Sequence, residues 1–104
     1  VLVPPLTPPD IFLAQLGDAA RRKAFVAFEE LRHAGIKATA NFSKSGLKAQ
    51  LEIANRLGAR YTLILGQQEV LDGTLLVRDM ESGMQEVVDN TRLVIEMKKK
   101  LEKM

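Results

Sequence analysis

One short segment restricts the fold of this 104-residue chain more than any other. From Tyr61 to Leu65 the residues are Tyr, Thr, Leu, Ile and Leu, so Thr62 is the polar exception in an apolar run. Gly58 precedes the run and Gly66 follows it directly. A strand with one wet face alternates apolar and polar residues, whereas a continuous apolar run is typical of a central strand buried on both faces. The segment therefore predicts a sheet that is covered on both sides.

A strand, a helix and another strand are predicted before this segment. Residues 11–16 form a short apolar run, which indicates a buried strand. Asp18 can cap the following helix, and Gly35 can end it in the left-handed conformation. Its apolar residues recur at helical spacing, and they are Ala20, Ala24, Ala27, Phe28 and Leu31. With residues 36–40 as the second strand, the unit is a βαβ crossover with parallel strands.

A second helix leads into the central strand, and a turn follows that strand. Ser43 or Ser45 can cap the helix, and Gly58 can end it. Its apolar stripe consists of Leu47, Leu51, Ala54 and Leu57. After the strand, residues 67–73 predict a turn, because Asp72-Gly73 is a hairpin signal.

Two antiparallel strands and a last helix complete the predicted fold. Residues 74–78 and 84–88 are short strands that a tight turn separates, so they must pair as neighbours. Asp89 can cap the last helix, whose apolar residues are Val94, Met97, Leu101 and Met104. The order is therefore βαβαβββα. It predicts an α/β fold, a three-layer α/β/α sandwich on a five-stranded mixed sheet.

The prolines mark a separate N-terminal segment. All four lie within residues 1–10, where they favour extended backbone. We expect these residues to be a linker from a missing upstream domain, and residues 11–104 to form one domain. The chain starts with Val and shows no signal-peptide pattern, which suggests a piece of a longer protein. No apolar run reaches about 18 residues, so we expect no membrane span.

The composition gives little support to catalysis. The chain has no Cys and one His, so neither a thiolate metal site nor a His-paired site is indicated. His33 lies beside Arg32 near the predicted end of a helix, where the helix dipole favours positive charge. The glycines are spaced as turn residues, and no phosphate-binding glycine loop occurs. The formal charge of +2 neither requires nor excludes a nucleic acid.

A binding edge is better supported. Ligands of open α/β sheets gather beyond the carboxyl ends of the parallel strands. Here those ends are residues 41–45 and 66–69, which are polar and rich in small residues. Lys44 and Lys48 lie at the first of them, where the start of a helix could also hold a phosphate. From these residues alone, a ligand site and ordinary solvated loops both remain open.

The stretch from residue 45 to residue 88 resembles the C-terminal anticodon-binding domain of histidyl-tRNA synthetases, which are class II aminoacyl-tRNA synthetases. The resemblance extends over residues 11–101. The Asp-x-x-Ser-Gly-x-Gln hairpin favours the histidyl branch over the threonyl, prolyl and glycyl branches. The residues that carry the match are Leu47-Lys48, Gln50, Leu57-Gly58-Ala59, Tyr61 to Gly66, Glu69, Asp72-Gly73, Val77-Arg78-Asp79, Ser82-Gly83 and Gln85.

The resemblance implies two anticodon-reading residues. Glu69, in Gly-x-x-Glu, would accept hydrogen bonds from base amino or imino groups, and Arg78, in Val-Arg-Asp, would donate a planar fork to guanine. The alternatives are a turn carboxylate for Glu69 and a strand arginine paired with an acid for Arg78. Arg78 lies along the returning strand and would have to reach back toward the loop edge. Further candidates for base or backbone contact are Asn41, Lys44, Lys48 and Gln50.

The function implied by the resemblance is that of an anticodon-binding domain in a histidine–tRNA ligase. It would bind the anticodon stem-loop of tRNA(His), and it would carry no catalytic site or cofactor. ATP and magnesium would act in an absent catalytic domain of a cytoplasmic, homodimeric parent enzyme. The first alternative is the C-terminal domain of the histidyl-synthetase-like regulatory subunit of ATP phosphoribosyltransferase, in histidine biosynthesis. A weaker alternative is a free-standing α/β module that binds a nucleotide or a protein.

Overall fold

The structure is a computed structural model, and it describes residues 9–40 and 46–102. Five strands, four α-helices and one short 3₁₀ turn occupy this part of the chain. In chain order they are β1 Ile11–Gln15, α1 Asp18–His33, β2 Ala38–Ala40, α2 Leu47–Leu57, β3 Tyr61–Leu65, α3 Gln67–Asp72, β4 Thr74–Asp79, β5 Gln85–Asp89, the 3₁₀ turn Asn90–Arg92 and α4 Leu93–Glu102. The predicted strands and long helices are all present, with ends that shift by a few residues.

The strands form one mixed sheet in the order β2-β1-β3-β4-β5. β1 pairs in parallel with β2 on one side and with β3 on the other. β4 is antiparallel to both β3 and β5. The predicted mixed sheet is therefore confirmed, and the apolar run that predicted a central strand is the middle strand of five.

Helices cover both faces of the sheet, so the predicted three layers are confirmed. On one face α1 and α4 pack against alternate strand residues such as Leu63 and Val77. On the other face α2 packs through Ala54 against Phe12 and Ile64. Alternate residues of β3 thus enter two different apolar clusters, which explains its continuous apolar sequence. Its one polar member, Thr62, is fully buried and donates its hydroxyl to the Met80 sulfur at 3.0 Å.

Two predicted helix caps differ in the structure. Gly17, at φ +100°, precedes α1, and Asp18 lies inside the first turn rather than at the cap. Only glycine adopts this backbone conformation readily, which explains why Gly17 rather than Asp18 is at the capping position. The negative charge of Asp18 in the first turn still interacts favourably with the helix dipole. Gly46 precedes α2. Ser43 and Ser45 lie outside the described residues, as do residues 1–8 of the predicted linker.

The turn predicted at residues 67–73 is a short helix, α3. The Glu69 carboxylate accepts a hydrogen bond from the Gly66 amide at 2.8 Å and so satisfies a free donor at the helix start. Gly73, at φ +71°, ends the helix and leads directly into β4. The Asp72-Gly73 pair is therefore a helix end rather than a hairpin turn. α3 places Glu69 at the carboxyl end of β3.

Candidate nucleic-acid interface

The face of the sheet that carries α2 is only partly covered. α2 lies over Phe12, Ala14 and Ile64, which are buried. Farther along the same face, Val87 of β5 pairs with Leu76 of β4, and its side chain is 66% exposed. The β4–β5 half of this face therefore remains open to solvent beside α2.

A cleft of about 460 Å³ lies between α2 and β4. Its volume is in the range typical of ligand clefts, roughly 300–1,000 Å³. Side chains one and two turns apart on α2 form one wall, and β4 with the residue after it forms the other. We call this the α2–β4 cleft. Its residues are Leu47, Lys48, Leu51, Glu52, Asn55, Arg78 and Met80.

The α2–β4 cleft combines an apolar base with polar side chains. Leu47, Leu51 and Met80 are half-buried and supply the apolar surface. Lys48 and Arg78 bring two positive charges to it. Glu52 and Asn55, both exposed, add an acceptor and an amide; the cleft thus offers apolar area, hydrogen-bond donors and acceptors, and one net positive charge.

Arg78 enters the cleft because of its register in β4. Its strand partners are Thr62 and Gln85. Leu75 and Val77 point into the core under α1 and α4, so Arg78 points to the α2 face. Among residues 9–40 and 46–102, no carboxylate lies within ion-pairing distance of its guanidinium. Within the described residues, Arg78 is therefore not a strand arginine paired with an acid, which was the alternative to a binding role.

Glu69 does not line the cleft. It lies on α3, which packs beside α1 through Val70, on the opposite face of the sheet from α2. Its carboxylate reaches back to the end of β3, where Oε1 accepts from the Gly66 amide at 2.8 Å. Arg78 is level with Thr62, and residues 62 and 66 are separated by about 13 Å along the chain at 3.3 Å per residue. Arg78 and Glu69 therefore lie at separate positions rather than at one contact point.

The remaining predicted site residues separate into three groups. Lys48 is exposed on α2 and lines the cleft together with Arg78. Asn41 and Lys44 lie outside the described residues. Gln50 is fully buried, and both polar atoms of its amide bind the main chain of Gln15. A buried, fully bonded amide has no surface for a base, so we assign Gln50 a structural role instead of a contact.

Five residues of the cleft were not predicted as site residues. Leu47 and Leu51 were assigned only to the apolar stripe of α2, Glu52 and Asn55 flank that stripe, and Met80 follows β4. The helical spacing of Leu47, Leu51 and Asn55 was a usable signal, since residues four apart lie on one face of a helix. What the sequence lacked was the direction in which that face points.

The pKa shifts that are resolved lie away from the cleft. The hydrogen bond and positive charge of Arg32, with His33 adding to them, hold the pKa of Glu29 below its ordinary value of 4.5. The main-chain and hydroxyl hydrogen bonds from Thr91 likewise hold the pKa of Asp89 below 3.8. Glu29 lies near the C-terminal end of α1, and Asp89 precedes the 3₁₀ turn.

A larger groove of about 530 Å³ lies on the other flank of α2, at the edge strand β2. Its lining includes Arg32, Ile36, Lys37 and Leu57. The described residues around it supply no carboxylate or side-chain amide. Its guanidinium, that of Arg32, is already paired with Glu29 at 2.8 Å, whereas Arg78 forms no ion pair among the described residues.

Within residues 9–40 and 46–102, no group of three or more His, Cys, Asp or Glu side chains could hold a metal ion. None of the helices in that part of the chain is long and apolar enough to cross a membrane.

The chain is similar in sequence to known proteins. Residues 3–100 match the anticodon binding domain family. A histidine–tRNA ligase of Streptomyces coelicolor is 45% identical over 73 residues, which cover 70% of this chain and 17% of that protein. A histidine–tRNA ligase of Staphylococcus carnosus is 42% identical over 74 residues, or 71% of this chain and 17% of that protein. The chain thus spans less than a fifth of the length of these relatives.

The fold is shared with solved structures. Apo histidyl-tRNA synthetase of S. aureus superposes with a TM-score of 0.81 at 32% identity, over 92% of this chain and 28% of that one. The RNA binding domain of a Cryptosporidium parvum threonyl-tRNA synthetase superposes with a TM-score of 0.81 at 17% identity, over 88% and 23% of the two chains, and shows the same fold. Sequence match and fold agree over nearly the whole chain, which therefore belongs to the anticodon binding domain family.

Proposed function

We propose that this chain is the anticodon-binding domain of a histidine–tRNA ligase and that it binds the anticodon stem-loop of tRNA(His) during protein synthesis. The family membership and the names of the relatives support a tRNA partner. The relatives are histidine–tRNA ligases, which does not favour the alternative of a regulatory subunit of ATP phosphoribosyltransferase.

The observation that carries this proposal is an arginine, Arg78, that lines a cleft of about 460 Å³ and forms no ion pair with the other described residues. Proteins read RNA sequence mostly on unstacked bases, which need an apolar surface and polar groups at their edges. In the α2–β4 cleft, Leu51 and Met80 supply the surface, and Arg78 supplies a planar fork of donors. Lys48 at the rim attracts the RNA backbone.

Glu69 is proposed as a second reading residue, at the carboxyl end of β3. One carboxylate oxygen, Oε1, accepts a hydrogen bond from the Gly66 amide, which fixes the direction of the carboxylate. The other oxygen is then oriented to accept from a base amino or imino group. Because Glu69 and Arg78 lie at separate positions in the domain, we assign them to different bases of the loop.

Catalysis is assigned to the part of the parent enzyme beyond this domain. ATP and magnesium would bind there, as the resemblance to histidyl-tRNA synthetases implies. We also propose that the parent enzyme is a cytoplasmic homodimer. The domain would raise the selectivity of the ligase for its tRNA rather than perform a chemical step.

The first test measures binding of tRNA(His) to the chain, against the same tRNA with an altered anticodon. We expect tighter binding to the unaltered tRNA. Arg78→Ala should weaken that binding by about 5- to 150-fold, corresponding to about 1–3 kcal/mol for a bidentate base contact. Arg56→Ala is the matched control, because Arg56 is an exposed arginine on α2 outside the cleft. Equal binding of the two tRNAs would refute the proposed function.

The second test uses the parent enzyme. Glu69→Ala and Arg78→Ala should lower kcat/KM for tRNA charging while histidine adenylation stays nearly unchanged, because the two residues lie outside the catalytic domain. Unaltered charging by both variants would refute the site assignment.

A further inference from the structure

Gln50 makes an unusual connection for a residue in the middle of a helix. It lies on α2, 35 positions from its partner Gln15, and no part of it is exposed. Its Nε2 donates to the Gln15 carbonyl at 2.8 Å, and its Oε1 accepts from the Gln15 amide at 2.9 Å. The side chain thus makes the pair of bonds that a neighbouring strand would make.

The direction of the Gln15 main chain allows this arrangement. The amide of Ile11 points to β2, where it donates to Lys37, and the amide of Leu16 points to β3, where it donates to Leu65. By alternation, the amide and the carbonyl of Gln15 point away from β3, toward the side of the sheet on which β2 lies. Both groups bond to the buried Gln50 amide, and loss of that amide would break both bonds, which is unfavourable.

The same two bonds hold the wall of the α2–β4 cleft. Gln50 lies between Leu47 and Leu51 on α2, and Lys48 is in the same turn. Ala54, together with Leu47 and Ile53, packs α2 against Phe12 and Ile64 of the sheet. The two Gln50 hydrogen bonds add a directional constraint on the rotation of α2 and on its height along β1.

We propose that Gln50 is a positioning residue for RNA binding, which holds Leu47, Lys48 and Leu51 at the right distance from Arg78. This inference rests on the proposed function for the identity of the ligand. It replaces direct RNA contact by Gln50 with an indirect role, through the main chain of Gln15. A buried helix–strand bond would then determine how tightly the cleft closes on a base.

Gln50→Glu separates this role from general stability through its pH profile. An ionised carboxylate accepts from the Gln15 amide but has no hydrogen for the Gln15 carbonyl, whereas the protonated carboxyl has one. Burial next to a carbonyl raises the pKa of the introduced group. Relative to the unaltered chain, tRNA binding should be on the order of 10-fold weaker near about pH 8 and should recover as the pH falls toward about 5.

Two variants serve as controls. Gln50→Leu removes both hydrogen bonds permanently, so its binding should stay weak at every pH. Gln67→Glu adds the same charge at an exposed position of α3, so it should show no recovery. Thermal unfolding at each pH identifies conditions in which every variant is folded. The inference is overturned if folded Gln50→Glu and Gln50→Leu bind tRNA as the unaltered chain does.

A measurement on the unaltered chain keeps the test valid if the Gln50 variants fail to fold. Bound tRNA should slow amide hydrogen exchange at Gln15 several-fold, because closing the cleft tightens the Gln50 bond. Leu16 is the internal control, since its amide donates to Leu65 of β3 at 2.9 Å and not to α2. Equal slowing at both amides, or none at Gln15, would refute the inference. Absence of tRNA binding by the unaltered chain would instead refute the proposed function.

Discussion

The Glu69 carboxylate packs directly against Gly66 at the carboxyl end of β3. The Gly66 amide donates to Glu69 Oε1 at 2.8 Å, and the same oxygen lies 2.8 Å from the position of a Cβ on residue 66. In its present position, the carboxylate oxygen occupies space that a side chain on residue 66 would need. This relationship links the start of α3 to the direction of a proposed base-reading group.

Gly66→Ala should therefore act through Glu69. The added methyl must displace the carboxylate, which is the end of a flexible side chain, so the chain still folds but loses the hydrogen bond. We expect Gly66→Ala and Glu69→Ala each to lower the free energy of unfolding by about 0.5–2 kcal/mol, the usual range for a helix cap. Urea unfolding of both variants and of their combination measures this. Because both remove the same bond, the double variant should lose less than the sum, and additive losses would contradict the account.

Asp89 should make stability depend on acid pH. The main-chain bond from Thr91 at 2.9 Å, and then its hydroxyl, hold the pKa of Asp89 below 3.8 in the folded chain. A lowered pKa stabilises the fold above the unfolded-state pKa, and this contribution disappears as the pH falls through the folded-state value. Asn also caps helices but does not titrate. The unaltered chain should thus exceed Asp89→Asn in Tm near about pH 6, and the difference should vanish near about pH 2. A constant difference would contradict the prediction.

Leu63 and Leu71 are two leucines that differ in burial, so together they test which part of the chain forms the core. Leu63 is wholly buried in β3, whereas Leu71 on α3 is 81% exposed. Leu63→Ala should lower the free energy of unfolding by about 2–5 kcal/mol, because it leaves a cavity in the central strand. Leu71→Ala should change it by less than about 0.5 kcal/mol. Urea denaturation distinguishes the two, and similar losses would show that β3 is not the centre of the core.

Asn55 tests whether the α2–β4 cleft has residues for binding beyond those predicted. It is exposed on α2 and lines the cleft with Arg78. Asn55→Ala should weaken tRNA binding by on the order of 10-fold through one lost hydrogen bond, while Tm stays nearly unchanged. Filter binding and thermal unfolding of the same preparation measure both quantities. If Asn55→Ala bound tRNA with full affinity, Asn55 would not contact the RNA, and the contacts would be limited to the β4 wall of the cleft, where Arg78 lies.

The sequence predicted most of the fold because burial leaves a clear pattern. The apolar run of β3 and the stripes of α1 and α2 reflect which faces meet the core. α3 was missed because six residues are too few to show helical periodicity. Its start also depends on the contact between Gly66 and Glu69, which the Asp72-Gly73 hairpin signal obscured.

The candidate site was less predictable because it depends on strand register and on contacts between residues far apart in the chain. The sequence indicated Arg78 and Lys48, and the structure brings them into one cleft. Gln50 has the same polar character in the sequence, but its amide is buried and bonds to the main chain of Gln15, 35 positions away. No local pattern reports such a distant contact. The contacts of Glu69 and Arg78 with RNA stay predictions.

The position of Arg78 within a strand has a consequence for affinity. β4 is paired on both sides, with β3 and with β5, so its backbone has already lost its conformational freedom on folding. A residue in a free loop would lose about 1–2 kcal/mol of backbone entropy when a ligand ordered it. A ligand at Arg78 has mainly the guanidinium side chain to immobilise, so more of the contact energy remains as affinity.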